Sequence, residues 1–172
     1  MFTKLFFFLS LGIGLLLHTH SVQAQDLGLE SVAPLVGLTY TPEHKEAGLI
    51  TGITANFGEL REGVEIYPTF YYWYGEKNNH KRSSIQFSLD AKYFFASSSG
   101  FYAGGGLSGN YISEKSDRNS KGETKFQPGG ALLVGNEQFT GKNIWFIQLK
   151  LDVLNDFKAI SLSTGLFFDL YR

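Results

Sequence analysis

The sequence predicts an all-β protein, an eight-stranded antiparallel up-and-down transmembrane β-barrel preceded by a signal-peptide helix. Apolar and polar residues alternate with a period of two along several segments, which is typical of strands with one face in an apolar environment. Aromatic residues make up 16% of the chain, and it contains 20 glycines. After the N-terminal region no apolar stretch is long enough for a membrane-spanning helix. A membrane crossing must therefore be made by strands.

The N-terminal segment, residues 1–24, predicts a cleaved signal peptide. Lys4 supplies a positive charge, and residues 5–17 form an apolar run that is too short to span a bilayer as a helix. We expect signal peptidase to cut after Ala24. A retained anchor is the alternative, and the polar residues 18–21 argue against it. We expect residues 25–172 to form one domain, the predicted β-barrel.

Composition excludes several classes of protein. Lys and Arg number 15 against 16 for Asp and Glu, so no basic surface is available for nucleic acid. The absence of Cys excludes disulfides, thiolate metal sites, cysteine nucleophiles and a lipid-modified cysteine. The mean hydropathy of −0.08 is too low for a bundle of membrane helices.

Eight segments separated by polar or glycine-containing turns are the predicted strands. They cover residues 33–41, 48–57, 64–75, 85–95, 100–113, 126–137, 145–153 and 160–171. Strands of about eleven residues, tilted by about 45°, match the thickness of a hydrocarbon layer. An even number of antiparallel strands can close into a barrel without free edges.

The first irregular position of the predicted strands is a proline in the third strand. The first two flank the polar segment 42–47, and the third alternates apolar residues such as Ile66 and Phe70 with polar ones such as Glu65. Pro68 lies inside the third strand. Because proline cannot donate a ladder hydrogen bond, we expect a bulge there.

The middle strands combine one very regular segment with two glycine-containing ones. In the fourth strand, Leu89 lies on the apolar face, whereas Asp90 and Lys92 lie on the polar face. The fifth and sixth strands are loosened by glycine, and Pro128 in the sixth predicts a second bulge.

The last two strands repeat the alternation. Leu149 and Leu151 lie on the apolar face of the seventh strand, and Lys150 and Asp152 lie on its polar face. Asp169 lies on the polar face of the eighth strand. We therefore expect apolar residues outside the barrel and polar residues inside it.

The polar faces predict a lumen that is filled with opposed charges. An eight-stranded barrel has room only for its own side chains, and a buried charge without a partner is unfavourable by several kcal/mol. A proton or ion path is the alternative. Glu137 faces the same lumen. The predicted charge network consists of Glu65, Asp90, Lys92, Lys150, Asp152 and Asp169.

Connection lengths predict the orientation in the membrane. Hydrophilic segments follow strands one, three and five, at 42–47, 76–82 and 114–125, whereas residues 97–99 form a tight turn. Outer-membrane barrels have short periplasmic turns and longer outside loops. Aromatic residues near strand ends suit the lipid headgroup region. The predicted lipid-interface aromatics are Tyr40, Tyr72, Tyr74, Tyr93, Phe95, Phe101, Tyr111 and Trp145.

Two stretches resemble a known family. Residues 101–111, FYAGGGLSGNY, and 165–172, GLFFDLYR, are similar to segments of the small OmpA/OmpX-type outer-membrane β-barrels. The resemblance covers essentially all of residues 25–172. It implies a location in the outer membrane of a Gram-negative bacterium and insertion by the outer-membrane assembly machinery. Family members usually end in an aromatic residue, whereas here Arg172 follows Tyr171.

Catalytic and metal sites have few candidates. His44 and His80 lie in separate predicted loops, with neither a His-x-Ser pair on a strand nor a regular spacing of metal ligands. We expect no cofactor, no metal and no enzymatic activity. Two alternatives stay open: an outer-leaflet lipid-modifying enzyme that acts by acyl transfer or deacylation, and a soluble periplasmic lipocalin-like barrel.

The expected role is structural, or an interaction made by the loops of a monomer. Its expected partners are outer-membrane lipid, lipopolysaccharide and the assembly machinery. Basic residues in the second and third outside loops are suited to anionic lipopolysaccharide groups. These residues are Lys81, Arg82, Lys115, Lys121 and Lys125.

Overall fold

The computed structural model describes residues 27–77, 80–95, 100–116, 119–154 and 158–170. The predicted signal peptide and its cleavage position after Ala24 lie outside the described residues. Across the described ranges, no helix is long and apolar enough to cross a membrane. The strands are β1 (Ser31–Thr41), β2 (Glu46–Asn56), β3 (Glu59–Arg61), β4 (Val64–Lys77), β5 (His80–Phe94), β6 (Phe101–Ser116), β7 (Asn119–Thr140), β8 (Asn143–Leu154) and β9 (Lys158–Asp169).

The strands form one closed antiparallel sheet. From β4 to β9 each strand pairs with the next, and β1 pairs with both β2 and β9. The pairing of β2 with β4 closes the wall, while the short β3 pairs with β4 alone. In the described part of the chain the barrel therefore has eight long strands, and the predicted up-and-down fold is confirmed.

The barrel has two ends, which we name by their connections. The loop end carries the β1–β2, β4–β5 and β6–β7 connections. The terminal end is where β1 begins and β9 ends, and Ser31 lies opposite Asp169 there.

The charged residues of the barrel wall point into its interior, and its outer surface is apolar. On β5, Ser88, Asp90 and Lys92 are 0%, 2% and 2% exposed, whereas Phe87 and Leu89 between them are 58% and 50% exposed. Successive side chains of a strand point to opposite faces, so a shift of one residue would exchange the two sets. The period-two pattern of the sequence thus determines which face of β5 is inside.

Two predicted outside loops are mostly strand, so their predicted boundaries were wrong. β4 continues to Lys77 and β5 begins at His80, while β6 continues to Ser116 and β7 begins at Asn119. Polar side chains in these segments indicate contact with water, but the backbone groups can still form hydrogen bonds with a neighbouring strand. β8 pairs with β7 only from Gly129 onward, so the β6–β7 hairpin extends beyond the barrel wall.

Neither proline produces the predicted bulge. The β4–β5 register passes through Pro68 and the β6–β7 register passes through Pro128 without a shift. Each proline lies beside the point where its other neighbour stops pairing, since β2 reaches only Thr69 of β4 and β8 reaches only Gly129 of β7. The missing N–H therefore interrupts no ladder on that side.

Candidate functional site

The barrel lumen is the candidate site, because buried charges meet there. Strand β5 directs Arg82, Asp90 and Lys92 inward, and each forms an ion pair with a residue of a different strand. We call these contacts the outer pair, Arg82 with Glu46, the central pair, Asp90 with Lys150, and the terminal pair, Lys92 with Glu137.

The central pair is fully enclosed. Lys150 Nζ lies 2.7 Å from Asp90 Oδ2 and 3.0 Å from Asp90 Oδ1, and it donates to Ser88 Oγ at 3.0 Å. Both charged side chains are 2% exposed. Gly106 on β6 makes room, because a Cβ at that position would overlap Asp90 Oδ1. The ammonium group therefore has three acceptors, as a buried ion pair requires.

The terminal pair lies among aromatic rings. Lys92 Nζ is 2.8 Å from Glu137 Oε1, and it lies 3.5 Å from the ring centroid of Tyr67 and 4.4 Å from that of Tyr102. A cation over a ring face is attracted by the ring quadrupole. Phe146 and Phe167 lie farther from Lys92, and with Tyr67 they belong to the buried apolar cluster at this end.

Two further predicted network residues are held by neutral donors. Glu65 Oε2 accepts hydrogen bonds from the Tyr67 hydroxyl at 2.6 Å and from Asn56 Nδ2 at 2.7 Å. Asp152 Oδ1 accepts one from Gln86 Nε2 at 2.8 Å. These contacts join β2 to β4 and β5 to β8.

Asp169 is not part of these buried layers, although the sequence predicts it in the network. It is exposed at the terminal end, opposite Ser31 of β1. Asp169 has inward parity, which means that the period-two alternation of β9 directs its side chain toward the lumen, but the strand ends at this residue. Inward parity at the rim of a barrel therefore does not produce burial.

The outer pair involves residues that the sequence placed in outside loops. Arg82 Nη1 lies 2.8 Å from Glu46 Oε2, with the two side chains 12% and 5% exposed. Thr41 Oγ1 also donates to the Glu46 carbonyl. Arg82 points to the same face as Ser84 and Gln86, so extending the period-two pattern of the predicted strand by two steps beyond Gln86 would have identified it as a lumen residue.

The predicted interface aromatics all point outward, with exposures from 38% for Trp145 to 57% for Phe101 and Tyr111. The register places one group toward the loop end: Tyr40, Tyr72, Tyr74 and Tyr111. It places the other group toward the terminal end: Tyr93, Phe95, Phe101 and Trp145. Neighbouring rings also contact each other, as Tyr111 does with Phe126 at a centroid distance of 4.9 Å.

A small cavity lies on the loop-end side of the central pair. Its volume is about 30 Å³, which is room for about two water molecules. Tyr71, Ser84 and Asp152 contribute to its walls, and Ala159 connects it to a buried apolar cluster with Ile112 and Leu154. This space is far smaller than an aqueous channel.

The two histidines lie on different hairpins. His44 is exposed in the β1–β2 turn, and His80 is the first residue of β5, opposite Lys77 of β4. Over the described ranges, no group of three or more His, Cys, Asp or Glu residues is arranged to hold a metal ion.

Comparisons with known proteins show the fold. No family model and no curated protein matches the chain. Among solved structures it is similar to Neisserial surface protein A (NspA), with 15% identity, a TM-score of 0.67 and coverage of 83% of this chain and 97% of that chain. It is also similar to the N-terminal β-barrel domain of Pseudomonas aeruginosa OprF, with 18% identity, a TM-score of 0.55 and coverage of 82% of this chain and 99% of that chain.

A third similar structure is Ail, the attachment invasion locus protein of Yersinia pestis, with 13% identity, a TM-score of 0.55 and coverage of 83% of this chain and 99% of that chain. All three comparisons cover nearly the whole length of the known barrel. The chain therefore has the fold of the small OmpA/OmpX-type outer-membrane β-barrels, as the sequence resemblance implied.

Proposed function

We propose that the chain is an integral outer-membrane β-barrel whose outer surface lies in lipid. The observation that carries the proposal is the apolar outer band. On β4 every second residue from Val64 to Tyr74 points outward, and none of them is charged. About ten tilted residues span roughly 24 Å, close to the apolar band of about 25 Å in known outer-membrane barrels.

The distribution of polar groups supports lipid rather than water as the surrounding medium. Leu107 is 71% exposed and Leu132 is 65% exposed, whereas Asp90 and Lys150 are 2% exposed. Soluble monomers rarely expose an apolar patch that extends around the whole molecule. A lipocalin-like barrel would have the opposite distribution, with an apolar interior for its ligand.

The proposed lumen has no continuous path along which ions could cross the membrane. The three ion pairs connect β5 with β2, β7 and β8 across the interior. Aromatic rings fill the terminal end, and the cavity near the central pair is only about 30 Å³. The proposed role is therefore structural, or an interaction at the loop end, rather than transport or catalysis.

Membrane location is tested by fractionation and gel mobility. The full chain, expressed in a Gram-negative host, should fractionate with the outer membrane and migrate anomalously without boiling, because a folded barrel resists the detergent. Boiling the same sample should restore the mobility of the unfolded chain and serves as the control. Recovery in the soluble periplasmic fraction would contradict the proposal.

The loop end is the proposed contact with lipopolysaccharide of a monomer that the assembly machinery inserts. Lys81 and Lys158 are exposed near this end, whereas Arg82, predicted to contribute, points into the lumen. Their cations are suited to anionic lipid groups.

Charge reversal tests this contact. The double variant K81E/K158E should bind lipopolysaccharide several-fold more weakly than wild type in a vesicle-binding assay at low salt. Lys142, exposed in the β7–β8 turn at the terminal end, provides the control, and the single variants K81E and K142E are compared because they change the net charge equally. Equal losses in both variants would assign the effect to net charge, and no loss in either would rule the contact out.

A further inference from the structure

The charges that face the lumen do not balance. In the part of the chain that the structure describes, the inward buried or half-buried cations are Arg82, Lys92 and Lys150. The inward buried or half-buried carboxylates are Glu46, Glu65, Asp90, Glu137 and Asp152. Three carboxylates belong to ion pairs, while Glu65 and Asp152 are held by neutral donors. A buried carboxylate without a counter-charge is strongly disfavoured.

Asp152 borders the cavity, and so does a hydroxyl group without a partner. Asp152 is 4% exposed and Ser84 is 7% exposed. Ser84 Oγ has no hydrogen-bond partner among the described residues. Ser161 and Asn110 add oxygen atoms to the same walls. Carboxylate, hydroxyl and amide oxygens are the ligands that hard cations take.

We propose that this cavity binds one small monovalent cation of the sodium type. The Asp152 carboxylate is its counter-charge, and Ser84 Oγ is one of its ligands. A cavity of about 30 Å³ holds the ion and about one water molecule.

A single positive charge fits this site better than a divalent ion. One charge neutralises one excess carboxylate, and Lys150, which also lines the cavity, repels a divalent ion more strongly than a monovalent one. The Lys150 ammonium itself is directed toward Asp90 and Ser88. It therefore leaves the oxygen of Ser84 available to the ion.

The site is tested by ion-specific stabilisation. The barrel, refolded in phospholipid vesicles, is unfolded with urea while sodium chloride is replaced by choline chloride at constant ionic strength. Choline is too large for the cavity, so it serves as the inert cation. The urea midpoint should rise with the logarithm of sodium concentration, because an ion that binds only the folded state stabilises it.

Variants assign the effect to the site. D152N should lose the sodium dependence, and S84A, which keeps the charge, should weaken it several-fold. D169N removes an exposed carboxylate at the terminal end and should keep the full dependence. S84A also provides the test if D152N does not fold.

Two results of the unfolding experiments would overturn the proposal. The first is an equal midpoint in sodium and choline chloride, including the case in which the midpoint follows pH alone and a proton neutralises Asp152. The second is a sodium dependence that persists unchanged in S84A or D152N. Crystals soaked with thallium(I) give an independent measurement: an anomalous peak beside Asp152 supports the site, and its absence at saturating thallium rejects it.

Discussion

A charge inside this barrel is stabilised by its immediate contacts. Lys150 donates to both oxygens of Asp90 and to Ser88, and these three residues lie on two strands that do not pair with each other. Each partner is acceptable in the interior only while the other is present. The central pair should therefore behave as a unit when it is mutated.

Replacing Lys150 with Met should destabilise the barrel by about 3–5 kcal/mol, because the Asp90 carboxylate stays buried without a counter-charge. The double variant D90N/K150M should recover most of this loss. Urea unfolding in vesicles measures the free energy of unfolding of both variants, and K158M, at an exposed lysine, is the control. Wild-type stability of K150M would show that the pair contributes nothing.

The sequence predicts which face a charged residue occupies, but not its partner. Asp90 and Lys150 have inward parity in their own strands, and both are buried. Which side chains meet across the lumen depends on the stagger of the closed sheet, and no local pattern contains that information. The ring contacts of Lys92 with Tyr67 and Tyr102 depend on the same stagger.

At the scale of a whole strand, the two faces differ in polarity because they meet different surroundings. β8 has a polar, buried inner face and an apolar outer face, with Leu149 near its middle and Val153 near its end. Such alternation made the existence of β8 predictable. The lengths of β6 and β7 were not predictable, because polar residues above the barrel wall look like loop residues in the sequence even when their backbones pair.

An arginine at the middle of the outer face of β8 should lower the free energy of unfolding, because its charge would lie in the apolar part of the membrane. L149R should lose about 2–4 kcal/mol in vesicles, whereas V153R, closer to the expected interface, should lose about 0–1 kcal/mol. Urea unfolding of the two variants gives the comparison. If water surrounds the barrel, the two substitutions should be equally mild, and the proposed membrane location would have to be abandoned.

The whole molecule combines a closed wall with an interior that contains ion pairs and aromatic rings. The ring cluster lies at the terminal end, and the outer pair lies toward the loop end. The number of long strands was predictable from the count of alternating segments, whereas the three-residue β3 was not. The distribution of free space was not, because it depends on how side chains from opposite strands pack.

Purified protein should form no stable channels in a planar bilayer at neutral pH. The expected record shows only baseline current, since the cavity is about 30 Å³ and no continuous aqueous path is expected through an interior of this width. A bilayer containing a known porin is the positive control. Reproducible conductance steps of one size would contradict the closed lumen.

The position of β5 at one end of the outer, central and terminal pairs bears on the order of assembly. Its partners lie on β2, β7 and β8, which are distributed around the wall. In an assembly intermediate in which β5 has not yet paired, Glu46, Glu137 and Lys150 lack their counter-charges. The interior of that intermediate therefore has to stay hydrated. Expulsion of water from the nascent barrel is therefore coupled to the docking of a single strand.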